Sequence, residues 1–201
     1  VTVQRAQKKA LAKSVAPGET AARASGLEEH IEMTTGDASQ IGGTKAPDVM
    51  VRRAIEADFP DLKRILSETF ASTWQPEITA EAARRYLETD VGGRFVEEQG
   101  LNFLVATVEG GVAGLVSWQD DFIDALHVGT RHQRLGIGRA LMMEAEKAIQ
   151  GAGHAQVRLE TDSFNQQSQG FYKALGYEER GRYPDLEWES DLTTVLFEKK
   201  F

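Results

Sequence analysis

The sequence predicts an α+β domain over residues 48–201, built on one twisted, mixed and largely antiparallel sheet flanked by helices. Three observations carry this expectation. Segments with a two-residue hydrophobic period and segments with a helical period follow one another in the order β–α–α–β–β–β–α–β–α–β–β. Three consecutive strand-type segments, over 102–108, 112–118 and 122–128, are separated by turns so short that their neighbours must pair antiparallel. The strands over 122–128 and 156–160 are joined through a long helix, a crossover that requires a local parallel pair.

The elements follow in order. A strand over 49–55 leads to a helix with Asp58 as its expected N-cap and Pro60 in its first turn, where a missing N–H costs nothing. Leu62, Ile65, Leu66, Thr69 and Phe70 repeat at helical spacing. Thr79 caps a second helix over 79–88, and a short helix is expected over 90–98. Glu109, Gly110 and Gly111 make the first hairpin turn, and Gln119, Asp120 and Asp121 the second. The crossover helix over 136–150 presents Ile137, Leu141, Ala145, Ala148 and Ile149 on one face and stops at Gly151 and Gly153. A further helix over 165–175 is closed by Gly176. Strands over 177–182 and 193–199 finish the chain.

Residues 1–47 have a different character. They are rich in small and polar residues, hold no aromatic side chain and end on Gly42, Gly43 and Pro47, as a linker does. The expectation is a flexible N-terminal extension with short helices near 3–13 and 18–32. The net charge of −8 argues against a nucleic-acid partner, which needs a basic footprint. It is compatible with a cationic amine. No stretch is apolar enough to span a bilayer. The absence of cysteine excludes thiolate chemistry and disulfides and fits a cytoplasmic protein; no metal is expected.

Between strand and crossover helix the chain reads VGTRHQRLGIGRA, residues 128–140. Gly136 and Gly138 stand where the helix begins. The first N–H groups of a helix have no partner within it and sit at the positive end of its dipole, so such a start binds phosphate. Glycine permits close approach, and Arg134 and Arg139 add charge. The spacing fits neither a Walker loop, since no Lys-Ser or Lys-Thr follows, nor the dinucleotide fingerprint, since its third glycine position is Leu141.

The run Gln133-Arg134-Leu135-Gly136-Ile137-Gly138 resembles the Q/R-x-x-G-x-G/A signature of the GCN5-related N-acetyltransferases, the GNAT family. Two further segments agree: Asn165 opening the next helix, and Phe171-Tyr172-Lys173-Ala174-Leu175-Gly176-Tyr177, which looks like the family's FYxxLGF stretch. The resemblance spans roughly residues 50–200. The chain departs from the family pattern at Gly129, where a proline is common, and at Leu135, where glycine or lysine is common. Neither change removes a backbone donor.

The resemblance implies a GNAT-like fold with acetyl-CoA as co-substrate, held where the strands over 122–128 and 156–160 splay apart. It implies cofactor contacts from Leu126, His127 and Val128, from Gln133, Arg134, Leu135, Gly136, Ile137, Gly138 and Arg139, and from Asn165 and Tyr172. The Leu126 N–H is the expected oxyanion donor. Tyr172, a phenol protonated at neutral pH, is the expected proton donor to the leaving thiolate, with core packing as its alternative role. Asn165 has a plain helix cap as its alternative.

Asp124 is the candidate base, on the same face as Leu126 and Val128 by alternation, with His127 on the opposite face. Asp120, Asp121 and Glu160 are further candidates. Trp74, Trp118, Tyr183 and Trp188, with Asp185, Glu187 and Glu189, are expected to line the acceptor side and to suit a cationic amine. The expected reaction is N-acetylation of a primary amine by direct attack, a small molecule favoured over a protein. A non-catalytic acyl-CoA-binding module is the alternative, and pairing at an exposed sheet edge into a homodimer is a further expectation.

Overall fold

The computed structural model describes residues 48–201 and, for the main chain only, residues 2–4. The expected helices of the extension otherwise lie outside the described residues. Residues 3 and 4 belong instead to a short strand, β1 (Thr2–Gln4).

The remaining elements are β2 (Val49–Arg53), α1 (Phe59–Thr69), α2 (Ala80–Glu88), α3 (Val91–Gln99), β3 (Leu104–Val108), β4 (Gly111–Gln119), β5 (Phe122–Val128), α4 (Ile137–Gly151), β6 (Gln156–Asp162), α5 (Gln166–Ala174), β7 (Glu178–Pro184) and β8 (Thr193–Lys200). The sheet runs β2-β3-β4-β5-β6-β8-β7, with β1 paired to β5 off this path. Every pairing is antiparallel except β5 with β6. The α+β architecture and the β5–α4–β6 crossover are therefore as the sequence implied. The last hairpin folds back so that β8 lies between β6 and β7.

Local chemistry accounts for the joints. Glu109 (φ 51°) and Gly110 (φ 82°) form a two-residue turn with both φ values positive, the geometry that matches strand twist. Thr79 caps α2 by accepting from the Ala82 N–H at 3.2 Å. Asp58 occupies the N-cap position of α1, but its side chain does not cap. It turns back to Arg52, at 2.6 and 2.8 Å, and accepts the Ile55 N–H. The Arg52 guanidinium holds the Asp58 carboxyl below the usual carboxylate range.

Two layers of side chains sandwich the sheet. On one face α1 and α3 contribute Leu62, Ile65, Leu66, Phe95 and Val96, packed on Val105, Leu115 and Ala125. On the other, α4 contributes Ile137, Leu141, Met142, Ala145 and Ile149, packed on Val116, Ile123, Leu126 and Val128. Ala148 is exposed and Met142 takes the place expected for it, because the buried stripe of α4 leans toward the flank carrying Gly138 and Met142. A third cluster gathers Phe70, Trp74, Tyr86, Val91 and Trp188 beyond the end of α1.

Candidate functional site

The strands β5 and β6 pair only through Phe122 with Arg158 and Ile123 with Leu159. The Arg158 guanidinium grips Asp121 at 2.6 and 2.8 Å at this end and holds its carboxyl below the usual range. Past Ile123 the ladder stops and the strands diverge. The groups that face this gap follow from the opposite edge of β5. The Gly129 N–H donates to the Ala113 carbonyl on the β4 side at 2.9 Å. Main-chain groups alternate between edges, so those of His127 and Ala125 also point to β4, and those of Val128 and Leu126 point into the gap.

A β-bulge lies just upstream. Ser117 pairs with Ala125 and Trp118 with Ile123, which leaves Asp124 as the extra residue. The bulge breaks alternation: Ile123 and Leu126 belong to the cluster beneath α4 although three residues apart, and Ala125 belongs to the opposite cluster. Strict parity along β5 therefore fails at the bulge, where Asp124 is the inserted residue. Asp124 is half-buried at a point where the strand is bent.

His127 lies across the sheet from α4, as its parity implies. Its Nδ1 is 2.8 Å from the Thr69 hydroxyl, which also sits 2.9 Å from the Ile65 carbonyl and 3.1 Å from that of Leu66. Thr69 has one proton, and the carbonyls can only accept. The hydroxyl thus ties the end of α1 to the imidazole, and the ring tautomer sets which of the two donates.

At the far end of β5 the chain passes through Gln133, Arg134 and Leu135 to α4. Arg134 (φ 66°) and Gly136 (φ 83°) both adopt left-handed conformations. No side chain caps α4. A left-handed arginine is strained by roughly 1–2 kcal/mol. The conformation curls the loop so that successive N–H groups converge, a concavity suited to an anion. A cavity of about 480 Å³ opens here, lined by Val128, Gln133, Arg134, Gly136, Gly138 and Arg139. A Cβ at Gly138 would sit 3.3 Å from the Phe171 ring, a tight contact that would require the ring to give by a few tenths of an ångström.

Helix α5 forms the other wall through Gln166, Gln167, Gly170 and Phe171. These four residues were not among the sequence candidates. Their spacing places them along one helical face pointing at the glycine loop, and only the pairing of the two helices shows it. Asn165 caps α5, accepting the Ser168 N–H at 3.1 Å.

Tyr172 follows Phe171 on the buried side. Its ring packs against Phe171, Tyr177 and Phe197. Its hydroxyl is fully buried and has no hydrogen-bond partner among the described residues. Burial pushes the phenol pKa well above its ordinary value, so it keeps its proton. Tyr177, five residues on, donates to Glu146 at 2.8 Å.

The sequence profile described as the acetyltransferase (GNAT) family matches residues 59–177, more than half of the chain. The chain belongs to the GNAT acetyltransferase family. Solved structures agree on the fold of this family member. A GCN5-related N-acetyltransferase from Rhodopseudomonas palustris matches with a TM-score of 0.66 at 18% identity, covering 80% of this chain and 100% of its own. PaiA N-acetyltransferase from Thermoplasma acidophilum, solved with coenzyme A, matches with a TM-score of 0.60 at 18% identity, covering 77% and 99%. The ribosomal-protein-S18-alanine N-acetyltransferase from Escherichia coli matches with a TM-score of 0.56 at 19% identity, covering 76% and 94%.

The residues expected on the acceptor side of this GNAT protein are dispersed. Trp188 is fully buried, with its ring 6.0 Å from Phe70 and 5.7 Å from Tyr86, and so belongs to the core. Trp118 packs against the cluster beneath α4. Asp185 is buried and accepts the N–H groups of Glu187 and Trp188, shaping its own loop. Glu189 pairs with Arg85, and Asp120 lies in a turn. Two others hold expected or neighbouring groups: the Trp74 ring lies 6.0 Å from that of His127 and its indole N–H donates to Asp162 at 2.8 Å, and Tyr183 donates to Glu160. Among the described residues no helix is long and apolar enough to cross a membrane.

Proposed function

We propose that this protein moves the acetyl group of acetyl-CoA to a primary amine, with a small-molecule amine as acceptor. The observation that carries the reading is the start of α4: a helix without a side-chain cap, opening from two left-handed residues onto a cavity flanked by Arg134 and Arg139. It is continuous through Val128 with the edge of β5 whose main-chain groups face the gap. The residues fit an acyl-CoA in three chemically distinct places: converging N–H groups for the pyrophosphate, a strand edge for the amide-bearing arm, and the Tyr172 hydroxyl, without a partner among the described residues, for the acyl end. Bound acetyl-CoA supplies a thioester carbonyl open to attack.

In this reading the chain's own groups divide the chemistry. The Leu126 N–H, fixed by the ladder, stabilises the negative charge that develops on the carbonyl oxygen. Tyr172, held protonated by its apolar surroundings, gives its proton to the departing sulfur. Asp124, at the bulge, takes the amine's proton through water. Gln133 to Arg139 hold the phosphates, and Asn165 fixes the start of α5.

Closure of the acceptor side supports a small acceptor: Trp74, His127 and Asp162 are all buried, and Tyr183 reaches across to Glu160. A panel of primary amines and peptides, assayed for thiol release from acetyl-CoA, tests the reading. Turnover with small amines and none with peptides is expected. Turnover confined to peptides would reverse the acceptor assignment, and tight CoA binding with no thiol release from any acceptor would leave a binding module.

A further inference from the structure

One strand in this fold comes from far upstream of the sheet it joins. β1 lies antiparallel on β5, with Thr2 opposite His127, Val3 opposite Leu126 and Gln4 opposite Ala125, and it also contacts β6. It therefore sits where β5 and β6 cease to pair. The direction of the β5 groups sets what it binds. Because Leu126 turns its N–H and carbonyl into the gap, the residue opposite it is the one that exchanges both main-chain bonds with it. That residue is Val3.

We propose that residues 2–4 are an intramolecular strand that occupies the slot for the amide-bearing arm of acetyl-CoA, so that the N-terminal segment competes with the co-substrate for Leu126. The proposal rests on the reading of the gap given above. The two occupants are chemically alike: an extended peptide and the pantetheine arm each present amide N–H and carbonyl groups along a line, and an open strand edge accepts either. They exclude one another because β1 pairs with the same stretch of β5, Leu126 included, along which the arm would lie. With β1 docked, the binding-competent fraction falls and the apparent affinity for acetyl-CoA falls in proportion. Three residues of ladder make few bonds, so ligand displaces them, and whatever draws the segment away strengthens binding without altering any cavity residue.

Val3→Pro in the full chain tests this, with Val3→Ala as its control. Proline has no N–H to give to Leu126 and does not tolerate a paired position, whereas alanine keeps the main chain intact. Neither substitution touches the residues 59–177 matched by the family. Two quantities are read: hydrogen exchange at the Leu126 amide without ligand, and the calorimetric Kd for coenzyme A. Val3→Pro is expected to speed exchange at Leu126 about tenfold or more and to tighten the Kd about five- to tenfold. Val3→Ala should match the unaltered chain in both. Unchanged exchange and unchanged Kd in Val3→Pro, with coenzyme A bound by all three proteins, overturn the competition alone. Faster exchange with no coenzyme A binding by any of the three overturns the reading of the gap, and the competition with it.

Discussion

Two helices begin at the same cavity, and they begin in opposite ways. Helix α5 starts at Asn165, whose side chain accepts the Ser168 N–H and satisfies the helix end from within. Helix α4 starts at Gly136, with no side-chain cap and a left-handed residue on each side of Leu135. A capped start is mechanically fixed and chemically closed. An uncapped glycine start leaves several N–H groups and the positive end of the dipole to whatever enters the cavity. In the proposed function the first start holds a wall rigid and the second binds. Function at a helix N-terminus is thus marked here by the absence of the residue that stability prefers.

Substitutions that turn one kind of start into the other break this contrast. The largest effect is expected from Gly136→Val. At φ 83° a β-branched side chain is strained, and restoring right-handed geometry would uncurl the loop. Nothing lies within 4 Å of the added Cβ, so the fold should survive. Calorimetry should show affinity for coenzyme A reduced about 100-fold or more, on the order of 3 kcal/mol; unchanged affinity would remove the loop from the site.

Next comes Tyr172→Phe, on the fixed wall. Steady-state kinetics should show kcat lowered about 10- to 100-fold with little change in coenzyme A affinity, the signature of a group acting in the transition state. Loss of a buried hydroxyl that has no partner among the described residues should leave the protein as stable or slightly more so, by at most about 1 kcal/mol. Equal kcat in both proteins would return Tyr172 to core packing.

The smallest effect belongs to Asn165→Ala. Opening the capped start should lower stability by about 1 kcal/mol in a denaturant titration, with affinity for coenzyme A changed only a few-fold. A loss of affinity as large as that of Gly136→Val would mean that Asn165 binds the ligand directly and that the two helix starts are alike.

These contrasts follow how much of the site was legible beforehand. The glycine loop, the caps at Thr79 and Asn165, and the position of Tyr172 are local: each depends on residues within one helical turn, and local chemistry is written in sequence. The bulge at Asp124 is not local in this way. Strict alternation holds only while a ladder stays in register, and the bulge between Ser117 and Trp118 is a property of two strands together. Trp188 was expected on the acceptor side because the resemblance assigns acceptor choice to the last hairpin, yet it stacks near Phe70 and Tyr86, more than 100 positions away. The cavity wall of Gln166, Gln167, Gly170 and Phe171 carries no signal beyond helical spacing until α4 is set opposite it.

By itself the sequence determined the α+β class, the two hairpins, the crossover and the uncapped glycine start of α4, since periodicity, turn residues and the want of a cap act over a few residues at a time. Only the tertiary structure decided that β8 slips between β6 and β7, that β5 bulges at Asp124, that β5 and β6 part after two paired residues, and that β1 enters the gap they leave. Each of these is a choice among pairings that a strand's own residues permit equally. It is made by the burial of one face against helices supplied from elsewhere in the chain.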